Sequence, residues 1–181
     1  MAFGLVVLAL ATAVGWLHQH IARFDDPIML SAARNNVDFY LVKALIFEES
    51  WFRPDVHGTA GELGLMQITK AAAADYAARH WLPPFNEQHL CEPELNIEIG
   101  CWYLRQSLDR YTESPDPVVF ALLRYNAGAA RADQWLQKAL AKPAPVGVLP
   151  ERYYLSLVDI PKTREYVHHI LQHYRSRNFL Y

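Results

Sequence analysis

The sequence predicts an all-α fold: a single helical domain with one core, preceded by an apolar helix of a different character. Three observations predict it. Apolar residues recur at helical spacing in one segment after another, helix-start residues precede those segments, and strand-like alternation is nearly absent. A chain of 181 residues, 52% hydrophobic and 20% charged, can build a sizeable core, which excludes a disordered chain. With 17 Lys and Arg against 19 Asp and Glu, the net charge is −2 and no long basic run appears. Binding of nucleic acid through phosphate neutralisation is therefore not expected.

The run Ala2–Leu17 has no charged side chain. A membrane span needs roughly 17–25 residues and the apolar part of a signal peptide about 7–15, so the run falls between them. Ala11-Thr12-Ala13 offers a small-residue cleavage site. Apolar residues nevertheless continue through Val14, Trp16 and Leu17, and no Lys or Arg comes first. Residues 1–24 are read as a retained membrane anchor, with a cleaved signal segment or a buried helix of the domain as alternatives. The globular domain is expected over 25–181.

Asp25-Asp26-Pro27 marks a helix start. Asp38–Ser50 reads as a buried helix, apolar on most sides, and Pro54 stops it. Residues 55–64 hold Gly58, Gly61 and Gly64 and read as a loop with at most a short hairpin. Thr69 is an N-cap for the alanine-rich Lys70–His80, which Pro83-Pro84 ends. Pro93 opens a helix to Tyr111, and Asp116-Pro117 opens Val118–Tyr125. Asn126-Ala127-Gly128 is a break, Ala130–Leu140 a further helix, and Lys142–Pro150 an irregular loop. Thr163 is expected to cap a last helix through Gln172 or beyond. Cys101 would stand about 12 Å along the helix opened by Pro93, beyond the ~7 Å Cα separation a disulfide allows. Cys91 and Cys101 therefore read as small apolar core residues.

Four ordered segments carry more than fold. They are Glu49-Ser50-Trp51-Phe52-Arg53-Pro54; Gly64-Leu65-Met66-Gln67; Tyr125-Asn126-Ala127-Gly128 followed by Trp135; and Ile160-Pro161 followed by Thr163-Arg164-Glu165-Tyr166-Val167. Asn96-Ile97, Gly100 and Tyr103-Leu104 lie between the second and third. On these residues the chain resembles the soluble lytic transglycosylase domain family of the lysozyme-like superfamily, over roughly Ile28 to Tyr174. The resemblance implies an α+β lysozyme-like fold with at most a minimal β-hairpin and a catalytic groove. It implies cleavage of the β-1,4 bond between N-acetylmuramic acid and N-acetylglucosamine in peptidoglycan, leaving 1,6-anhydromuramoyl ends. Glu49 matches the family's catalytic acid. Met66, Gln67, Tyr125 and Asn126 match groove segments; Ser50 and Tyr166 are further candidates for holding the glycan or the acid, and Ser50 also for capping the end of its helix. No metal or organic cofactor is implied. The expected setting is the periplasmic side of a bacterial cell envelope, with peptidoglycan strands and the membrane as partners and the chain a monomer.

The residues themselves support the choice of acid. Burying a carboxylate costs free energy unless it is paired or neutralised. Glu49 continues the stripe Leu41, Val42, Leu45, Ile46, whereas Glu48 lies about 100° around the helix. Burial and the negative end of the helix dipole both favour a protonated carboxyl there. Such a group can protonate a leaving glycosidic oxygen at neutral pH. Glu48 reads as a solvated or paired helix-end residue. Asp55 and Glu62 are the candidates for a second carboxylate, which would make the chain a lysozyme-type hydrolase. An inactive glycan-binding or secretion-scaffold protein is the rival of another class. His169 and His173 have a spacing that can bind metal, but no third ligand is marked and a solvated face is the better reading. His18 and His20 read as polar residues flanking the apolar run. Three positions depart from the family pattern: Gly58, where many relatives carry a serine that touches the sugar; Lys162, in a shortened segment without its usual acid; and Arg124, where alanine is common.

Overall fold

Helix-start chemistry sets the element boundaries in the computed structural model, which describes residues 2–142 and 144–179, with side chains from residue 5 onward. Met1, Pro143, Leu180 and Tyr181 lie outside it, so the 142–150 loop and the end of the 25–181 domain are seen without them. The helices run in the order α1 (Ala2–Ala22), α2 (Asp25–Arg34), α3 (Phe39–Ser50), α4 (Lys70–Arg79), α5 (Glu87–Leu90), α6 (Pro93–Arg110), α7 (Pro117–Ala127), α8 (Ala129–Ala141), α9 (Pro150–Ser156) and α10 (Pro161–Ser176). Among the described residues the only β pairing is two isolated antiparallel bridges, His57 with Leu63 and Leu63 with Ile68. The all-α fold with a minimal hairpin is therefore the observed one.

Side-chain caps account for several starts. The Asp38 carboxylate accepts the N–H groups of Tyr40 at 2.8 Å and Leu41 at 3.2 Å at the head of α3. Thr69 and Asp116 cap α4 and α7 by accepting from Ala72 and Val119, each at 3.1 Å. These contacts satisfy amides that have no partner inside the helix. Two short helices go beyond the sequence reading. Asn86 caps α5 by accepting the His89 N–H at 2.8 Å, and Pro150, expected to end a loop, instead opens α9. The break after Tyr125 narrows to Gly128 alone, at φ +82°. Thr163 does not cap the last helix: α10 starts at Pro161, which leaves Thr163 in the first turn with its hydroxyl turned across to Asn126.

α3 lies at the centre, with Val42, Ala44, Leu45 and Ile46 fully buried, and packs against α2 and α10. α6 packs against α2, α4, α5 and α7, and α7 in turn against α8 and α10. Polar ties lock these layers. Lys43 on α3 reaches Asp25 on α2 at 2.6 Å, and Glu98 on α6 accepts from Arg34 and Asn35 at the end of α2. Cys91 and Cys101 are both free thiols, Cys101 buried and Cys91 partly so.

One residue of α6 positions the hairpin segment. Asn96 is fully buried and makes three hydrogen bonds: Nδ2 donates to the carbonyls of Leu63 (2.8 Å) and Leu90 (2.6 Å), and Oδ1 accepts the Met66 N–H (2.7 Å). The loop from Val56 to Ile68 thus hangs on the side of α6.

α1 is of another kind. Its apolar side chains stand in the open, Leu5 at 68% exposure, and by length and composition it can cross a membrane. Its described side chains are not buried in the domain over most of its length. Only its last turns touch the domain. The His20 ring stacks with Trp16 (5.3 Å between centroids), tilts against Trp51 (4.9 Å), and donates from Nε2 to the Trp51 carbonyl at 2.9 Å.

The Asn96 tie sets a stability expectation. Asn96→Ala removes three buried hydrogen bonds and should lower the unfolding free energy by about 3 kcal/mol or more, measured by denaturant titration. An unchanged midpoint would show that the loop is held elsewhere.

Candidate active site

Glu49 reaches its place because α3 is apolar almost all round and ends one residue later. The neighbouring Ser50 is buried, and its hydroxyl donates back to the Ile46 carbonyl at 3.1 Å. That proton is spent on the end of the helix, one of the places the sequence offered for it. Trp51 then takes the left-handed conformation (φ 51°) with its N–H on the Phe47 carbonyl at 2.9 Å, and Phe52 follows at φ 57°. Two successive left-handed residues turn the chain sharply just after Glu49 and drive Phe52 into the core. Positive φ is costly for such side chains and persists only where packing fixes it.

Two tyrosines stand at the site. Tyr166, from α10, donates its hydroxyl to Glu49 Oε1 at 2.5 Å. Tyr125, from α7, donates to the Met66 carbonyl at 2.9 Å. Burial, then the Glu49 charge, holds both phenols well above their ordinary pKa, so they act as donors. The Glu49 carboxyl is pushed up from 4.5 to about 7. Burial is the main cause, the charges of Glu48 and Glu62 add to it, and the Tyr166 hydroxyl works against it. Because Tyr166 occupies Oε1 as a donor, the acid proton belongs on Oε2. Glu48, one position earlier, points to α10 and accepts from His169 Nδ1 at 3.2 Å, a paired helix-end residue. Of the two candidates for a second carboxylate, Glu62 bears electrostatically on Glu49, whereas Asp55 bears on the thiol of Cys91.

The remaining candidates are placed as follows. The Met66 side chain is fully buried, its sulfur packed over Gly100, where a Cβ would come within 2.2 Å of it. Its backbone carbonyl accepts from Tyr125. Gln67 is half-buried at φ 47°, and its Nε2 donates to the carbonyls of Val56 (3.1 Å) and Gly64 (2.9 Å). Asn126 is exposed, and its Oδ1 accepts from Thr163 Oγ1 at 2.7 Å, tying the end of α7 to the start of α10 rather than to Glu49. Arg124 donates to Ser107 Oγ at 2.5 Å and lies 4.8 Å from the Tyr103 ring centroid. Lys162 is exposed. The spaced histidines part company, His169 pairing with Glu48 and His173 donating to the Asn178 carbonyl at 2.9 Å with its ring 4.4 Å from that of Phe47. The supporting role of Asn96 has a sequence signal, an amide between apolar residues of an amphipathic helix. The Thr163–Asn126 bond has none.

A raised-pKa glutamate at the end of a buried helix is tied to a tyrosine of a distant helix in a mostly helical fold. The comparisons show the family of that fold. The family model described as Transglycosylase SLT domain matches residues 26–145, and the chain belongs to this family. It is 26% identical over 167 residues to the soluble lytic murein transglycosylase of Salmonella typhimurium, covering 89% of this chain and 24% of that protein. It is 28% identical over 140 residues to the membrane-bound lytic murein transglycosylase F of Pseudomonas fluorescens, covering 76% of this chain and 26% of that one. Among solved structures, the 70-kDa soluble lytic transglycosylase of Escherichia coli superposes with a TM-score of 0.73 at 25% identity, covering 93% of this chain and 27% of the other. The chain thus spans about a quarter of the length of these relatives.

The raised pKa has a stability consequence with a definite sign. Between 4.5 and about 7 the unfolded chain releases the Glu49 proton while the folded chain keeps it, so stability falls as pH rises through this window. Glu49→Gln removes that penalty. The variant should exceed the wild type by about 3 kcal/mol at pH 8 and by little at pH 4, in paired denaturant titrations. A difference independent of pH would contradict the raised pKa.

Proposed function

We propose that the chain is a lytic transglycosylase of peptidoglycan glycan strands, with residues 1–24 as its membrane anchor and 25–181 as its catalytic domain. The observation that carries this reading is the part-buried Glu49 carboxyl at the end of α3, hydrogen-bonded to Tyr166 and pushed up to about 7 by desolvation. An acid of that pKa is substantially protonated at neutral pH and can also work as a base within one turnover.

Glu49 gives its proton to the glycosidic oxygen as the bond from that oxygen to C1 of the N-acetylmuramoyl unit breaks. The substrate's own acetamido group stabilises the positive charge at C1. The Glu49 carboxylate then takes the proton of the C6 hydroxyl, whose oxygen bonds to C1. The product ends in a 1,6-anhydromuramoyl unit, no water is consumed, and Glu49 regains its proton. One side chain serves as donor and acceptor, so the route needs no metal or cofactor. Tyr166 fixes the orientation of Glu49. Tyr125 and Asn126 brace the opposite side of the groove through the Met66 carbonyl and Thr163, and Gln67 presents its amide oxygen to the glycan. The chain works as a monomer on the periplasmic side of the envelope, a setting supported by the spanning length of α1 and by relatives named membrane-bound.

A second reading has one observation in its favour. The charge of Glu62 reaches Glu49, so Glu62 could direct a water to C1 as in a hydrolase. Mass spectrometry of the products separates the two. Anhydro ends lacking the mass of water are expected; reducing ends would replace the first reading by the second. Glu49→Gln should lower the rate at least 1,000-fold on purified sacculi, on the order of the loss of a catalytic acid. Equal clearing by variant and wild type would remove Glu49 from the role. The protonated form being the active one, kcat/KM should fall above a pH of about 7.

A further inference from the structure

The turn that follows the first β bridge has an unusual interior. Gly58 donates its N–H to the Glu62 carbonyl at 2.7 Å, and Gly61 donates back to the Gly58 carbonyl at 3.2 Å. A Cβ at residue 58 would lie 2.3 Å from Glu62 Oε2, 3.0 Å from Glu62 Cβ and 2.7 Å from Gln67 Oε1. The space that a side chain at 58 would fill is therefore taken by two acceptor oxygens from elsewhere in the loop. A side chain at 58 would have to displace the Glu62 carboxylate and the Gln67 amide.

Both oxygens are oriented by bonds on their other side. The Gln67 Nε2 group spends its hydrogens on the Val56 and Gly64 carbonyls, which fixes Oε1 toward Gly58. Glu62 Oε2 accepts one bond, from the Ala60 N–H at 3.0 Å. Among the described residues no Lys, Arg or His forms an ion pair with Glu62. Carboxylate and amide oxygens are acceptors, each with room for further donors. The same loop runs to Met66, whose carbonyl holds Tyr125, and the Glu62 charge is felt at Glu49. Two under-used acceptors thus lie together in the segment that borders the acid, and the donors that suit them are the N–H and hydroxyl groups of an N-acetylated sugar.

We propose that Glu62, seated over Gly58 beside Gln67 Oε1, is a substrate-contacting residue that accepts hydrogen bonds from an amino-sugar unit of the glycan. The inference rests on the groove being a glycan site, and it makes Glu62 a determinant of binding rather than a donor of water. A hydroxyl or N–H held by a carboxylate is a charge-assisted bond and stronger than one held by a neutral group.

The test uses the full chain in detergent. In the Glu49→Gln background, calorimetric titration with a defined muropeptide strand reads binding without turnover. Adding Glu62→Ala should weaken the affinity about tenfold or more, the usual effect of deleting a hydrogen bond to a charged group. Glu62→Gln, which keeps the shape and the Ala60 bond, should fall between. In the active enzyme the loss should appear in KM more than in kcat. Gly58→Ser should weaken binding when Glu62 is present, by displacing the carboxylate, and should cost nothing further in the Glu62→Ala background. Melting temperatures of all variants control for misfolding. Equal affinity of the Glu62→Ala variant and its parent overturns the proposal, as does an equal cost of Gly58→Ser in both backgrounds. A kcat loss with unchanged KM and a switch in product from reducing to anhydro ends would do so too, by making Glu62 the water-directing group. Failure of the transglycosylase reading shows separately, in the products of the wild type.

Discussion

A carboxyl held partly out of water is the constraint around which this site is arranged. Burial alone would favour a neutral Glu49 with nothing to orient it. The Tyr166 hydroxyl orients it and, by stabilising the ionised form, keeps the pKa from rising further. That single bond joins residues 117 positions apart. It requires α10 to lie along α3, and that packing is set by Val167, Ile170 and Leu171 against the central helix's apolar surface. The Thr163–Asn126 bond then fixes where α10 begins with respect to α7. Chemistry at one oxygen thus depends on the packing of three helices.

The opposite wall of the site is built by a different device. An irregular loop cannot position functional groups unless its own backbone is anchored. Here the anchor is Asn96, which substitutes for a strand partner by bonding two carbonyls and one amide of neighbouring segments. Met66 plugs the same loop into α6 above Gly100. The hairpin of two lone bridges is therefore enough, because α6 does the work that further strands would do elsewhere.

Much of this was legible in the chain, for identifiable reasons. Pro93, Asp116-Pro117 and Thr69 announce helix starts because their effect is local, and the structure puts helices there. Glu49 stands out in the chain mainly through the Glu-Ser-x-aromatic-x-Pro resemblance, with the periodicity of an apolar helix adding only a mild preference over Glu48. Ser50 sits beside the acid in sequence, and the helix turns its hydroxyl to Ile46. Met66 belongs to a groove segment, and what it gives Tyr125 there is a carbonyl. α5 and α9 escape because four and seven residues leave too little periodicity to see. The Glu62 position could not be foreseen, as it depends on a turn whose shape is set by hydrogen bonds within the loop.

The clasp of His20 on the Trp51 carbonyl gives the first helix a role in aiming. Trp51 lies two residues beyond Glu49, so the helix is fastened to the very bend that presents the acid rather than to a remote corner of the domain. A tethered enzyme on a slack linker can search a hemisphere. Under the proposed anchoring of α1 in a bilayer, the bearing and height of the domain would be set by a histidine held between two tryptophans.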